Sequence, residues 1–85
     1  MDSRIIREQL QIFWEEHYNI IRRVGDVSQF VSSESVLSRY RSKYPRNGNI
    51  DLNNFTRELA NLQMGIKLIR SRQGAHKFNV TLSSP

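Results

Sequence analysis

Three stretches in which apolar residues recur every three to four positions are followed by a stretch that alternates every second position around a polar, glycine-containing turn. This pattern predicts an α+β, mostly α domain: three helices plus a C-terminal two-stranded β-hairpin. A chain of 85 residues has room for one modest core, so residues 1–85 read as a single domain. Hydrophobic residues make up 38% and charged residues 25%, a balance that supports folding over disorder.

The first helix is predicted over about 3–24. Ile6, Leu10, Phe13, His17 and Ile21 form one helical stripe, and Ile5, Trp14, Tyr18 and Ile20 widen it. Ser3 is a candidate N-cap, Arg22-Arg23 suit the C-terminal end of the helix dipole, and Gly25 stops the helix. A break around Tyr18-Asn19 is an open alternative. Val27 to Val31 reads as an extended piece or a one-rung strand.

Ser32 or Ser33 caps a second helix over about 34–44, with Val36, Leu37, Tyr40 and Tyr44 on its buried stripe. Pro45 ends it, and Arg46-Asn47-Gly48-Asn49 is a turn. Asp51 caps a third helix over about 52–64, whose core face is Leu52, Phe55, Leu59 and Leu62. Gly65 is expected in the left-handed C-cap position. The hairpin is predicted over 66–82, with Phe78, Val80 and Leu82 packing on the helices and Arg70 to Ala75 at its tip. The end, Ser83-Ser84-Pro85, is expected to fray. Helix, short strand, helix, turn, helix and hairpin is the order of a winged helix-turn-helix.

Charge is distributed unevenly. Residues 1–38 carry four Arg against six acids, a net of −2, whereas residues 39–85 carry nine basic residues against Asp51 and Glu58, a net of +7. A basic half on a small domain suits a polyanion. Asn pairs bidentately with adenine and Arg with guanine, so Asn53, Asn54 and Arg57 near the start of the third helix are candidate base readers. Thr56 suits a phosphate or a thymine methyl, and Asn61 lies on the same face. Arg39, Arg41, Lys43 and Arg46 are candidate phosphate contacts from the second helix and the turn. Lys67, Arg70, Arg72 and Lys77 extend the basic surface along the hairpin, which is expected on the same side as the third helix.

Residues 27–82 carry a further pattern: a small polar cap, Leu37-Ser38-Arg39-Tyr40, a turn, Phe55-Thr56-Arg57-Glu58-Leu59, and a basic hairpin from Lys67 to Phe78. In this the chain resembles the C-terminal winged-helix module of poxvirus, phage and plasmid-type primase-helicases. Other winged helices, including transcription-factor domains, share much of the pattern. The resemblance implies binding of origin or template DNA, in replication initiation or transcription regulation. The chain departs from the family in its long first helix and in having no ATPase or primase portion. It is either an excised module or a stand-alone protein.

No catalytic constellation is visible, so no enzyme activity and no cofactor are expected. His17 and His76 are far apart with no cysteine to join them in a metal site. His17 reads as a core-edge residue, and His76 as a candidate phosphate neighbour. Glu15 and Glu16 diverge on a helix. Trp14 and the tyrosines sit at core spacing. No apolar run exceeds three residues and no signal peptide is visible, so no membrane partner is expected. The expected partner is nucleic acid, double-stranded DNA ahead of RNA, in an intracellular setting (cytoplasm, nucleus or bacterial nucleoid). Protein–protein contact is the alternative, including a homodimer through helix 3–24 at Ile5, Leu10, Trp14 or Tyr18.

Overall fold

The computed structural model describes residues 3–23, 25 and 27–83. Its elements are α1 (Ser3–His17), β1 (Tyr18–Ile20), α2 (Ser33–Lys43), α3 (Leu52–Leu62), β2 (Leu68–Arg70), β3 (His76–Phe78) and β4 (Val80–Leu82). Short 3-10 turns at Val27–Gln29 and Pro45–Asn47 lead into α2 and α3. The fold is α+β and mostly α, with three helices and an antiparallel hairpin in winged helix-turn-helix order. The Ser3 side chain, Val24 and the Ser84-Pro85 end lie outside the described residues, and so do the expectations that rested on them.

Aromatic rings fix where the elements lie. Trp14 on α1 is fully buried, with ring centroids 5.2 Å from Tyr18 of β1, 5.4 Å from Phe78 of β3 and 5.9 Å from Phe55 of α3. Tyr40 of α2 meets Phe13 of α1 at 5.5 Å and Phe55 at 5.3 Å. Every helix therefore contributes at least one ring to a single cluster, joined by Leu10, Val36, Leu59, Ile66 and Val80. Removing one such ring costs about 3–5 kcal/mol in a packed core, so the cluster dominates the stability of a domain this small.

The first helix does not run to residue 24; it breaks at Tyr18-Asn19, the alternative that the sequence left open. It ends at His17, and the next three residues form β1, paired antiparallel with β4: Tyr18 opposite Leu82, Asn19 opposite Thr81, Ile20 opposite Val80. Tyr18 fits both patterns, because it stays buried as the chain passes from helix to strand. Ladder hydrogen bonds, extended by Ile21 N–H to the Asn79 carbonyl (2.8 Å), override the helical period here. Arg22 and Arg23 are consequently exposed beyond the helix and do not sit in its last turn.

The caps of the other helices follow the sequence. Ser32 Oγ accepts from Ser35 N–H at 3.2 Å, and Asp51 Oδ1 from Asn54 N–H at 2.8 Å. The left-handed cap of α3 falls on Gln63 (φ 54°) and not on Gly65, which takes a positive φ of 79° two residues later. Val27–Gln29 is a 3-10 turn. Only the end of the expected strand is extended: Val31 exchanges hydrogen bonds with Phe78 and Val80, and Ser32 bridges Lys77.

The segment 66–82 is not one hairpin. Leu68, Ile69 and Arg70 pair with Phe78, Lys77 and His76, after which the chain leaves β2 and pairs with β1. The hinge between these two sheets is Asn79, a buried residue within the alternating run. Its Oδ1 accepts from Lys67 N–H at 2.6 Å, and its Nδ2 donates to the Ile21 and Gly65 carbonyls, both at 2.9 Å. One side chain thus ties the end of β1 to the exit of α3 and the root of the hairpin. Phe78 and Val80 are buried as expected, but Leu82 is 56% exposed, because β4 runs on past the core to reach Tyr18.

A second buried amide holds the helix-turn-helix. Asn47 Nδ2 donates to Gln9 Oε1 at 2.6 Å and to the Tyr40 hydroxyl at 3.1 Å, joining the turn to α1 and α2. The far ends of α1 and α2 are clamped by Lys43, whose Nζ lies 2.5 Å from Glu16 Oε2 and 3.1 Å from His17 Nε2. The contact with Lys43 lowers the Glu16 pKa. Desolvation, then the charges of Lys43 and Arg39, lower that of His17, and the Glu16 carboxylate opposes this only weakly.

Two outcomes follow from these contacts. Asn79→Ala leaves three backbone groups without their partner and should lower the unfolding free energy by about 2 kcal/mol or more in urea titration. Asn61→Ala, on the exposed side of α3, should stay within about 0.5 kcal/mol of the parent. The second outcome concerns pH. A histidine whose folded pKa lies below its unfolded value favours the unfolded state once the pH drops below the unfolded value, ordinarily about 6.5. The urea midpoint should therefore fall as pH is lowered from 7 through 6. At lower pH the protonation of Glu16, a carboxylate with a depressed pKa, acts in the same direction. His17→Gln should flatten the upper part of that decline.

Candidate nucleic-acid interface

The exposed crest of α3 is set by its buried face. With Phe55 and Leu59 in the core, Asn53, Arg57, Ala60 and Asn61 point away from it, and all four are exposed. Arg57 is central on this crest, and Ala60 leaves room for close approach. Glu58, one residue on, is committed elsewhere: its Oε2 accepts from Arg7 Nε of α1 at 3.2 Å, with the Glu58 side chain only 14% exposed. Arg57 is thus not neutralised by its neighbour. Thr56 is turned inward along its own helix, its hydroxyl donating to the Leu52 carbonyl at 2.8 Å and reaching that of Asn53 at 3.0 Å. This removes Thr56 as a readily available phosphate donor.

The basic residues of α2 and the turn divide into structural and uncommitted groups. Arg41 donates from Nη2 (2.6 Å) and Nε (3.1 Å) to the Ile50 carbonyl, so it braces the turn before α3. Lys43 is held by Glu16 and His17. Arg39 is exposed, with its guanidinium 5.8 Å from the Tyr18 ring centroid. Arg46 is exposed on the turn and shares a concavity with Asn49, Asn54 and Arg57, whose lining also includes Ile6, Asn47, Ile50 and the Arg7-paired Glu58. The structure therefore brings Asn54 and Arg57 together with Arg46. A second shallow groove joins Thr56, Ala60 and Gln63 of α3 to Lys67 and Leu68 at the hairpin root.

The hairpin tip is closed by Ser71 N–H to the Ala75 carbonyl at 2.8 Å and by Gly74, whose φ of 87° suits the turn. Arg70, Arg72 and His76 are exposed. Lys77 is half-buried, and its Nζ reaches back to the Val27 and Ser28 carbonyls at 3.5 and 3.4 Å. These tip residues line a cavity with Gly25, Val27 and Ser28, so they gather against the loop before α2 and apart from the concavity at Arg46 and Arg57. The basic residues thus line two separate concavities, one at Arg46 and Arg57 and one at the hairpin tip.

Sequence reasoning did not identify Asn49, Gln73 or the Gly25–Ser28 side of the tip cavity. Their proximity to basic residues comes from tertiary packing, and neither their residue types nor their spacing signals it. Leu10, Trp14 and Tyr18, considered above for dimerisation, are buried in the domain's own core. Ile5 and Ile12 of α1 are the exposed apolar residues, at 49% and 48%. Among the described residues no group of His, Asp and Glu is arranged to hold a metal ion, and no helix is long and apolar enough to cross a membrane. Compared with family models, with curated proteins and with solved structures, the chain matches none.

Proposed function

We propose that this domain binds nucleic acid, with duplex DNA as the ligand, and has no catalytic activity of its own. The observation that carries the reading is the set of exposed cations on the helix-turn-helix and the wing: Arg46, Arg57, Lys67, Arg70 and Arg72. The two acids of this half of the chain are engaged, Asp51 in capping α3 and Glu58 in pairing with Arg7. Such a surface attracts a polyanion, and an α-helix crest of Asn and Arg fits the edges of base pairs in a major groove. In this reading Asn53, Asn54, Arg57 and Asn61 meet bases, while Arg39, Arg46, Lys67, Arg70 and Arg72 meet phosphates. Arg41 and Lys43, which bond within the fold, hold this surface in place, and Lys77 adds its charge at the tip cavity. The resemblance to primase-helicase modules points to origin or template DNA, and a transcriptional role fits the same chemistry. The setting is intracellular, where such DNA is found.

A second reading is favoured by the two exposed isoleucines of α1, which lie seven residues apart on one helical face. They suit a protein contact, such as a second copy on an adjacent half-site, which is compatible with DNA binding. Sedimentation of Ile5→Lys and Ile12→Lys variants, with and without DNA, separates the two: a loss of DNA affinity only alongside a loss of self-association supports the dimer.

Two outcomes test the main reading. Affinity for random duplex, followed by fluorescence anisotropy, should fall by about two to three orders of magnitude between 50 and 200 mM salt if about five phosphates are neutralised. Lys43→Met should change it little, whereas Arg70→Ala with Arg72→Ala should weaken all duplexes alike and reduce the salt slope. Binding that ignores salt would exclude the proposal. For α3, preferred sites are first selected from random duplexes. Arg57→Ala should then cost about 1–3 kcal/mol more on the preferred site than on a scrambled one. Equal losses on both would reassign Arg57 to a phosphate.

A further inference from the structure

The cavity beneath the hairpin tip has features that the rest of the basic surface lacks. It is a half-open recess of about 470 Å³ lined by Gly25, Val27 and Ser28 and by Arg70, Arg72 and Lys77. Three cations from two strands and a loop thus surround one concavity, and its described lining contains no carboxylate. Like charges so arranged repel one another, and an anion between them relieves that repulsion. The Arg70 and Arg72 guanidinium groups have no hydrogen-bond or ion-pair partner among the described residues. Lys77, by contrast, is braced on the Val27 and Ser28 carbonyls, so one cation of the set is already positioned. Ser71, whose buried hydroxyl has no hydrogen-bond partner, forms part of the wall, and Gln73 supplies a further amide.

We propose that this cavity is a phosphate seat that takes a phosphomonoester, free or at the 5′ end of a nucleic-acid strand, in preference to an internal phosphodiester. A monoester carries about −1.5 to −2 charges at neutral pH and presents three acceptor oxygens, which suits three convergent cations. A diester carries a single charge and has a sugar on either side, so it fits a recess walled on two sides less well. The inference extends the nucleic-acid reading to strand ends, but its phosphate component does not depend on that reading.

The test is a series of ¹H–¹⁵N correlation spectra of the full chain. Inorganic phosphate, replacing chloride at constant ionic strength, should produce saturable shifts confined to Ser28, Ser71, Arg72, Gln73 and Lys77. Arg70→Ala with Arg72→Ala should weaken that binding at least about tenfold, since a hydrogen bond to a charged group is worth about that factor. Both side chains are exposed, so the spectrum elsewhere should report an intact fold. Shifts spread over all basic residues alike, or unchanged binding in the double variant, would overturn the seat. A short blunt duplex is titrated next, with 5′-phosphate and with 5′-hydroxyl ends. The seat resonances should shift with the phosphorylated duplex and not with the other. Equal shifts would overturn the preference for a monoester. Shifts along α3 with a silent seat would leave duplex binding standing without it, and a phosphate response without any duplex response would do the reverse.

Discussion

The contact of Trp14 with Tyr18, Phe55 and Phe78 is the constraint on which the rest of the structure depends. It joins the first helix to the strand that follows it, to the third helix and to the hairpin, four elements brought together around one side chain. A domain of this size buries only about 60% of the surface of its unfolded chain, so it has few ways to reach a stable core. Large rings meeting at tilted or edge-to-face angles provide area and a preferred geometry together. The orientation of the α3 crest and the position of the hairpin follow from that packing. Phe55 fixes the rotation of α3, and Phe78 fixes the strand that carries Lys77 and ends opposite Leu68.

Two buried asparagines add direction to this apolar core. Hydrophobic contact alone tolerates rotation and slippage. Asn79 limits both at the root of the wing, because its amide meets a donor and two acceptors on segments far apart in sequence. Asn47 does the same for the turn before α3, through Gln9 and Tyr40. Buried amides of this kind are costly when unsatisfied, so they select the arrangement that satisfies them. Basic residues lie next to both anchors: Arg46 is beside Asn47 in the chain, and Lys67 at the hairpin root bonds Asn79 through its backbone.

The uneven charge of the chain also acquires a physical meaning in three dimensions. Glu16 of α1 is directed at a basic residue of another element, Lys43 of α2. Glu58 of α3 meets Arg7 of α1 in return. These pairs withdraw some charges from the solvent-facing surface. They leave Arg57 at the centre of the α3 crest and Arg70 and Arg72 at the tip uncommitted among the described residues. The potential presented to a ligand is thus set by which cations are paired within the fold as much as by the net charge.

The sequence by itself determined the class of the domain, the second and third helices with their Ser32 and Asp51 caps, and the residues of the α3 crest. Each depends on local rules: helical period, a polar side chain beside free backbone N–H groups, and the opposition of buried and exposed faces within one element. Phe78 and Val80 were legible for the same reason, through alternation along a strand. The sequence left open whether α1 runs to residue 24 or breaks at Tyr18-Asn19, and tertiary structure decided for the break, since Tyr18–Ile20 forms a strand by pairing with β4. It decided that Asn79 is a buried hinge and not an outward polar residue, because its partners lie at Ile21, Gly65 and Lys67. It also decided that Arg41, Lys43 and Thr56 make bonds within the fold while Arg46 and Arg57 share a concavity, and that the tip residues gather near Gly25, Val27 and Ser28. Long-range pairing leaves no period in the chain, so these features appear only once the aromatic core has brought distant segments together.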